Sequence, residues 1–546
     1  MGHHPAEPSP TEEAQPAAQP PTINAPEPPL TVPASAYPDP SGAIAAEAAA
    51  AEWHSHAPEP TEVPVPPSGP VAVPGGSREL LKLALPLILS QSFMTVQVFV
   101  DTILLSWHDP LEMTASFPAI MWYWLFFGVL QVTAGYTSTF VAQYTGANRP
   151  HRVGVAVWQG VHFAVVAGVL FLAVVPLAPL LIAVGRPPAE LAPLEVVYLR
   201  CLAFAALPML VMAAVNGFFS GRGQTWTVLG IEAFGTVVNI LLACVLIFGA
   251  EGVTKLGLPG VPGAPKMGIA GAGIATAAGS WAAALLALVL MLRKKFRAEF
   301  GTASGWKPER ELFGRLMKYG GPAGMQMFLD VLVFHLFTQL VVTLGVAAAG
   351  ATTLTVRLNM IAFLPMMGLG QAICILVGQR LGENRPDVAE KSVYTGLKWS
   401  FGYMCLVALT YLSVPALLVA PFKPDDPEKA AEFAQIVAVV PTLLLFVAFF
   451  SLADAVNLSF AFALRGAGDT KYVTVLTFSL AWPLMVIPTA LTVWLGGNVY
   501  LCWLFATAHI LGMAVCFWMR FRHGKWKTMR VIEQAPEGAA VANGAA

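Results

Sequence analysis

Four acidic side chains lie deep inside long apolar runs: Asp101, Glu232, Asp330 and Asp454. A carboxylate held in hydrocarbon is costly unless it is paired, protonated or set against a polar cavity, so intramembrane acids mark ion or substrate pathways. Helical rise converts spacing from a basic flank into depth. Asp330, twelve residues after Lys318, lies about 18 Å in, and Asp454, eleven before Arg465, about 16 Å, so the two can meet. By the same count from Lys82, Arg222 and Arg293, Asp101 lies at about 28 Å and Asn239 and Thr276 at about 25 Å. A carboxylate, a carboxamide and a hydroxyl at one depth are hard oxygen ligands for a small alkali cation. Asn and Thr at that depth also serve as plain interhelical hydrogen-bonders, and both uses stay open. Glu232, at about 15 Å, either snorkels to the near face or lines a cavity mouth.

The embedded bases are placed differently. Arg357, Lys398 and Arg200 count out near the ends of their runs, where long cationic side chains snorkel. A midplane cavity lined by acids without central bases prefers cations. Glu232, Trp122, Gln326 and Asn457 are further cavity candidates, although an aromatic cluster such as Trp122–Phe127 more often marks an interfacial belt. Six cysteines stand singly in apolar runs, without metal or disulfide spacing. No nucleophile–base pair, metal constellation or Walker loop is present, so no enzymatic activity, cofactor or ATP drive is expected, and no nucleic-acid partner. The Gly-rich stretch Gly268–Gly273 fits close helix packing better than nucleotide binding.

The elements that must position these groups are membrane spans. Of 546 residues 56% are hydrophobic and only 12% charged, too few charges to cover a water-soluble surface. Twelve apolar runs long enough to cross a bilayer follow Leu80: about 80–106, 113–143, 153–183, 191–219, 226–249, 267–292, 313–344, 347–379, 389–418, 433–463, 472–495 and 499–519. Residues 1–76 hold 19 of the 44 prolines, and residues 1–77 hold nine acids and no Lys or Arg. That composition predicts a disordered acidic tail, in which Ala43–Glu52 flickers into helix and His54 and His56 are solvated. The net charge of -1 is therefore a cancellation between the tail and a basic body. Lys and Arg collect on the loops that share a side with both termini, which predicts cytoplasmic termini and an inner-membrane, multi-pass protein.

The chain also repeats. Val141–Gly160 matches Val377–Gly396 at eight positions, including a shared Asn-Arg-Pro, and Pro86 and Pro322 fall on the same offset of 236 residues. Gly221-Arg-Gly-Gln-Thr225 pairs with Gly466-Ala-Gly-Asp-Thr470. The expected fold is an all-α polytopic membrane protein with twelve transmembrane helices in two six-helix lobes. Its parts are a tail at 1–77, an N-lobe at 78–297, a linker at 298–312, a C-lobe at 313–523 and a C-terminal tail at 524–546. Parallel repeats of this kind are a transporter architecture.

On these motifs the chain resembles the multidrug and toxic compound extrusion family, in its NorM-type branch, over about residues 78–520. The resemblance rests on Phe99-Val-Asp-Thr102, Phe328-Leu-Asp-Val331, Asp454-Ala-Val, Leu464–Thr470, Asn359–Pro365 and Val377-Gly-Gln-Arg-Leu-Gly382. It implies a monomeric exporter of cationic amphipathic small molecules, driven by inward sodium or proton flow. It also implies that Asp101 is the first-span acid of an N-lobe site, with Asn239 and Thr276 as neighbouring ligands, sodium among the candidates. Asp454 matches the tenth-span acid of the C-lobe. Asp330 stands where the branch usually has Glu, Ala243 where a second Asn is usual, and Pro86 at a first-span bend. The alternative is a flippase of lipid-linked oligosaccharide or peptidoglycan precursor from the same superfamily, which would want a basic cavity.

Overall fold

The computed structural model describes residues 74–423 and 427–533, side chains at 427–432 excepted. Most of the N-terminal tail, with Ala43–Glu52, His54 and His56, lies outside the described residues, as does 534–546. The described residues form one compact unit.

Its framework is twelve helices: α1 (Ser77–His108), α2 (Pro110–Gly146), α3 (Pro150–Phe171), α4 (Ala192–Gly221), α5 (Thr225–Phe248), α6 (Gly268–Met291), α7 (Arg310–Val342), α8 (Val346–Gly382), α9 (Pro386–Ser413), α10 (Pro427–Ala467), α11 (Thr470–Trp494) and α12 (Val499–Arg522). Helices satisfy their own backbone groups, which is what an apolar solvent demands. Eleven are long and apolar enough to span; α9 makes the twelfth when joined to the turn that follows it, bent by 88°. The bend falls before Pro415, which lacks the N–H that a continuous helix would use there. The third run, expected to be continuous over 153–183, divides into α3 and a separate short helix, Val174–Val184. α11 carries a π-turn at Trp482–Val486 around Pro483, again where a backbone donor is missing.

The two sets of six helices pack by one plan. In the first, α1 lies on α5, α2 and α3 on α4, and α4 and α5 on α6; in the second, α7 lies on α11, α8 and α9 on α10, and α10 and α11 on α12. The sets join through α1 against α8 and α2 against α7, contacts that exchange when the sets are swapped. Small residues allow the closest approaches. A side chain at Gly279 of α6 would lie 2.9 Å from Asn239 Cβ on α5.

At the basic end of the bundle α2 and α8 cross with the same pseudo-symmetry. A side chain at Gly146 would collide with the Gln379 carbonyl, and one at Gly382 with the Gln143 carbonyl. Gln143 Nε2 donates to the Gly466 carbonyl at 3.0 Å, ending α10, while Gln379 Nε2 donates to the Gly221 carbonyl at 2.8 Å, ending α4. Each set of helices thus caps a helix end of the other. The repeated Asn-Arg-Pro has a local reason. Asn148 and Asn384 take left-handed backbone, with φ of 53° and 57°, and Pro150 and Pro386 open α3 and α9.

The linker and the start of the C-terminal tail are built into this end. Trp158 Nε1 donates to the Thr302 carbonyl at 2.7 Å, and Arg152 grips Glu309 with two nitrogens at 2.8 Å. Val531 N donates to Gln143 Oε1 at 2.8 Å, and Glu533 accepts from the Tyr144 hydroxyl at 2.6 Å and from Arg152 at 3.1 Å.

Candidate functional site

α1 contributes the first wall of a cavity inside the first six helices. Ser90, Met94, Gln97, Asp101 and Leu105 recur every three or four residues and so share one helical face, and with Gln91 they line the cavity. α2 contributes Tyr123, Trp124 and Gln131, α4 contributes Met209 and Met212, and α5 contributes Glu232, Gly235 and Thr236. Thr276 and Ser280 close it from α6. Tyr123 stacks on Phe127 with ring centroids 4.7 Å apart, which fixes an aromatic wall rather than leaving a free ring.

The depth-matched trio of the sequence is one cluster. Asp101 has Asn239 and Thr276 as its polar side-chain neighbours. Asn239 Nδ2 donates to Thr276 Oγ1 at 3.2 Å, and the Thr276 hydroxyl donates to the Ala272 carbonyl at 3.1 Å. The three side chains are 5%, 1% and 9% exposed, yet Asp101 Oδ1 and Asn239 Oδ1 have no partner. With its own Oδ1 and the neighbouring Asn239 Oδ1 both unpartnered, the Asp101 carboxylate is short of a positive charge or a proton, since buried polar atoms in folded proteins generally have partners. The donor set, all oxygen and one formal charge, fits sodium or a proton on Asp101. No lining residue of the cavity is basic.

Glu232 faces the same cavity instead of snorkelling. Asn216 Nδ2 of α4 donates to its Oε1 at 2.9 Å. Trp122 is not among the lining residues. It is half-buried and packs into the core of the first six helices, while its sequence neighbours Tyr123 and Trp124 occupy the face that turns inward. One residue is about 100° of helix rotation, which hydropathy alone does not phase.

In the second six helices the acids are also brought together. Asp330 of α7 lies within electrostatic range of Asp454 of α10. Asp454 is 8% exposed and accepts from Asn457 Nδ2 at 3.0 Å, whereas Asp330 is exposed. Here the expectation of acids without a central base needs correction. Arg465, counted in the sequence among the face-marking bases, turns inward: its Nε donates to Gln326 Oε1 at 3.3 Å, its guanidinium sits 5.1 Å over Phe462, and it acts on Asp330. Gln326 and Asn457 therefore belong to this acid group, Gln326 by holding Arg465. The two halves are chemically unequal, one a base-free cavity and the other an acid pair balanced by arginine.

Several participants escaped sequence reasoning. Asn216, Tyr123 and Arg465 carry no positional signal of their own. Gln91 and Gln97 did: their spacing to Asp101 places all three near one face of α1.

The MatE family model matches the chain twice, over residues 86–245 and 322–491. The two matches begin at Pro86 and Pro322. The chain is 25% identical over 461 residues to a probable multidrug resistance protein NorM of Shewanella oneidensis, covering 82% of this chain and 95% of that protein. It is 29% identical over 412 residues to the multidrug resistance protein NorM of Vibrio cholerae, covering 75% and 85%. Among solved structures, a MOP superfamily transporter from Pyrococcus furiosus superposes with a TM-score of 0.72 at 18% identity, covering 83% of this chain and 97% of that one. An outward-facing multidrug resistance MATE transporter of the same superfamily gives 0.71, with the same identity and coverage. At that identity the likeness is one of fold.

Proposed function

Since the chain belongs to the MatE family, in its NorM-type branch, we propose that it exports cationic amphipathic compounds in exchange for inward sodium or proton flow. Its place is the inner membrane, with both termini cytoplasmic by the distribution of Lys and Arg. The observation that carries this reading is the base-free cavity at Asp101, where Asp101 Oδ1 and Asn239 Oδ1 are buried without partners. A cation or a proton supplies what those oxygens lack, and the aromatic and methionine walls offer contacts for an apolar cation body.

Exchange follows from competition. A coupling ion on Asp101, or on the Asp330/Asp454 pair, and a cationic substrate draw on the same carboxylates, so each lowers the affinity for the other by the same factor. The closed α2–α8 crossing at the basic end suits the state that would receive the ion from outside; the inward state requires that crossing to part. Binding the ion or the substrate, but not neither, would favour passage between the two. The flippase alternative finds no support in the cavity, whose lining lacks the cationic side chains a pyrophosphate would need.

The test is transport by the purified chain in proteoliposomes under an imposed sodium gradient or an imposed pH gradient. One gradient drives uptake of a fluorescent lipophilic cation, and Asp101→Asn and Asp454→Asn each abolish or severely slow it. Full gradient-driven transport by both variants would sink the mechanism.

A further inference from the structure

The cavity holds a second carboxylate that the exchange at Asp101 does not use. Glu232 and Asn239 lie on one face of α5, seven residues and so about 10 Å apart, with Gly235 and Thr236 lining the wall between them. Asn239 marks the Asp101 end. At the other end, Asn216 Nδ2 is spent on Glu232 Oε1 at 2.9 Å. The opposite atom of the same carboxamide, Asn216 Oδ1, is buried without a partner in a residue only 9% exposed. A carboxylate with an orphaned carbonyl oxygen beside it repeats, two turns away, the acceptor-rich and donor-poor condition found at Asp101. Both ends lack any basic residue in the lining, and Met212, one turn before Asn216 on α4, adds an adaptable apolar surface.

We propose that Glu232 and Asn216 form a second cation subsite, and that the cavity therefore selects elongated dications whose two charged nitrogens stand about 10 Å apart. This rests on the reading of the cavity as the substrate site. A dication engages Asp101 with one end and Glu232 with the other, while the rigid apolar body between them lies along Gly235 and Thr236. A monocation engages one carboxylate at a time. A buried carboxylate left without a counter-charge weakens binding more than an exposed one does, so the second contact is worth a measurable step in affinity.

The experiment compares two probes on the full-length protein in detergent: an aromatic bis-amidine as the dication and tetraphenylphosphonium as the monocation. Kd is read by tryptophan quenching or equilibrium dialysis, and transport by proteoliposome uptake. Glu232→Gln is expected to weaken the bis-amidine at least tenfold more than it weakens tetraphenylphosphonium, whereas Asp101→Asn weakens both. Glu232→Asp, which keeps the charge, restores most of the dication preference. Equal loss of both probes in Glu232→Gln would overturn the subsite, as would no loss of either. A wild-type protein that transports tetraphenylphosphonium but does not bind the bis-amidine overturns the subsite and leaves the proposed export intact. Failure of the wild type to transport either probe under any gradient counts against the export reading itself, and the subsite falls with it.

Discussion

At the residue scale, the cluster of Asp101, Asn239 and Thr276 holds two buried acceptor oxygens without partners. Thr276 is the hinge of its polarity, because its hydroxyl accepts from Asn239 Nδ2 and donates to the Ala272 carbonyl at the same time. Thr276→Val keeps the shape and removes the hydroxyl that accepts from Asn239 Nδ2, a loss of about 1–3 kcal/mol for a buried hydrogen bond. Ion-driven transport is expected to fall about tenfold or more, while Thr276→Ser, which keeps both bonds, stays near the parent rate. Transport by Thr276→Val at the parent rate would show that Asn239 and Thr276 merely tie α5 to α6. Depth counting found this trio because all three residues are measured from basic flanks on one face of the membrane. It did not find Asn216 or the inward turn of Arg465, since a side chain's direction depends on what packs against it.

At the scale of elements, the crossing of α2 and α8 is the contact on which the closed basic end depends. Gly146 and Gly382 each press against the backbone of the partner helix, so a branched side chain at either cannot be absorbed by a rotamer change. Gly146→Val and Gly382→Val are expected to disfavour the closed arrangement and slow the transport cycle about tenfold, a shift of about 1.4 kcal/mol in one state. Gly402→Ala on α9, where added bulk meets nothing within 4 Å, serves as the control. The readout is transport rate together with labelling of a cysteine placed at Ala142 by a water-soluble maleimide, which rises if the crossing opens. Unchanged labelling and rate would mean that the crossing carries no part of the cycle. Both glycines fall inside the sequence repeat at the same offset, so the symmetry of the contact was legible. Which two helices met there was not, because the repeat pairs each segment with its own copy and says nothing of its neighbours.

At the scale of the whole molecule, the chain after α12 ties the two sets of helices together. Val531 binds Gln143 of α2, Lys527 pairs with Glu390 of α9 at 2.6 Å, and Glu533 meets Tyr144 and Arg152. Burial pushes the Glu533 carboxyl up, but the Tyr144 hydroxyl, its own backbone and the cations Arg152 and Arg315 outweigh it and hold it below the ordinary glutamate range. Its contribution to stability is therefore full above that ordinary range and is lost as pH falls through the depressed value. Ion pairs at this exposure are worth on the order of 1 kcal/mol. Glu533→Gln is expected to lower thermal stability slightly at neutral pH and to erase the difference between mutant and parent in acid. Limited proteolysis after α12, followed against pH, reports the same detachment. A mutant equal to the parent at neutral pH would show that Val531 and Lys527 hold the segment without help from Glu533.

The sequence by itself determined the twelve apolar spans, their basic face, the two-fold repeat and the four acids within the spans, because each is a property of single positions or of regular spacing along one helix. The N-terminal acids against a basic body belong to the same class, since charge is counted without knowing the fold. Only tertiary structure decided that Glu232 shares a cavity with Asp101, that Tyr123 and Trp124 face it while Trp122 does not, and that Arg465 turns towards Asp330. Those facts depend on the rotation of each helix about its own axis. That rotation is set by how small residues and side chains interlock with neighbours far away in sequence, in a membrane where hydropathy falls off too evenly around most helices to fix it.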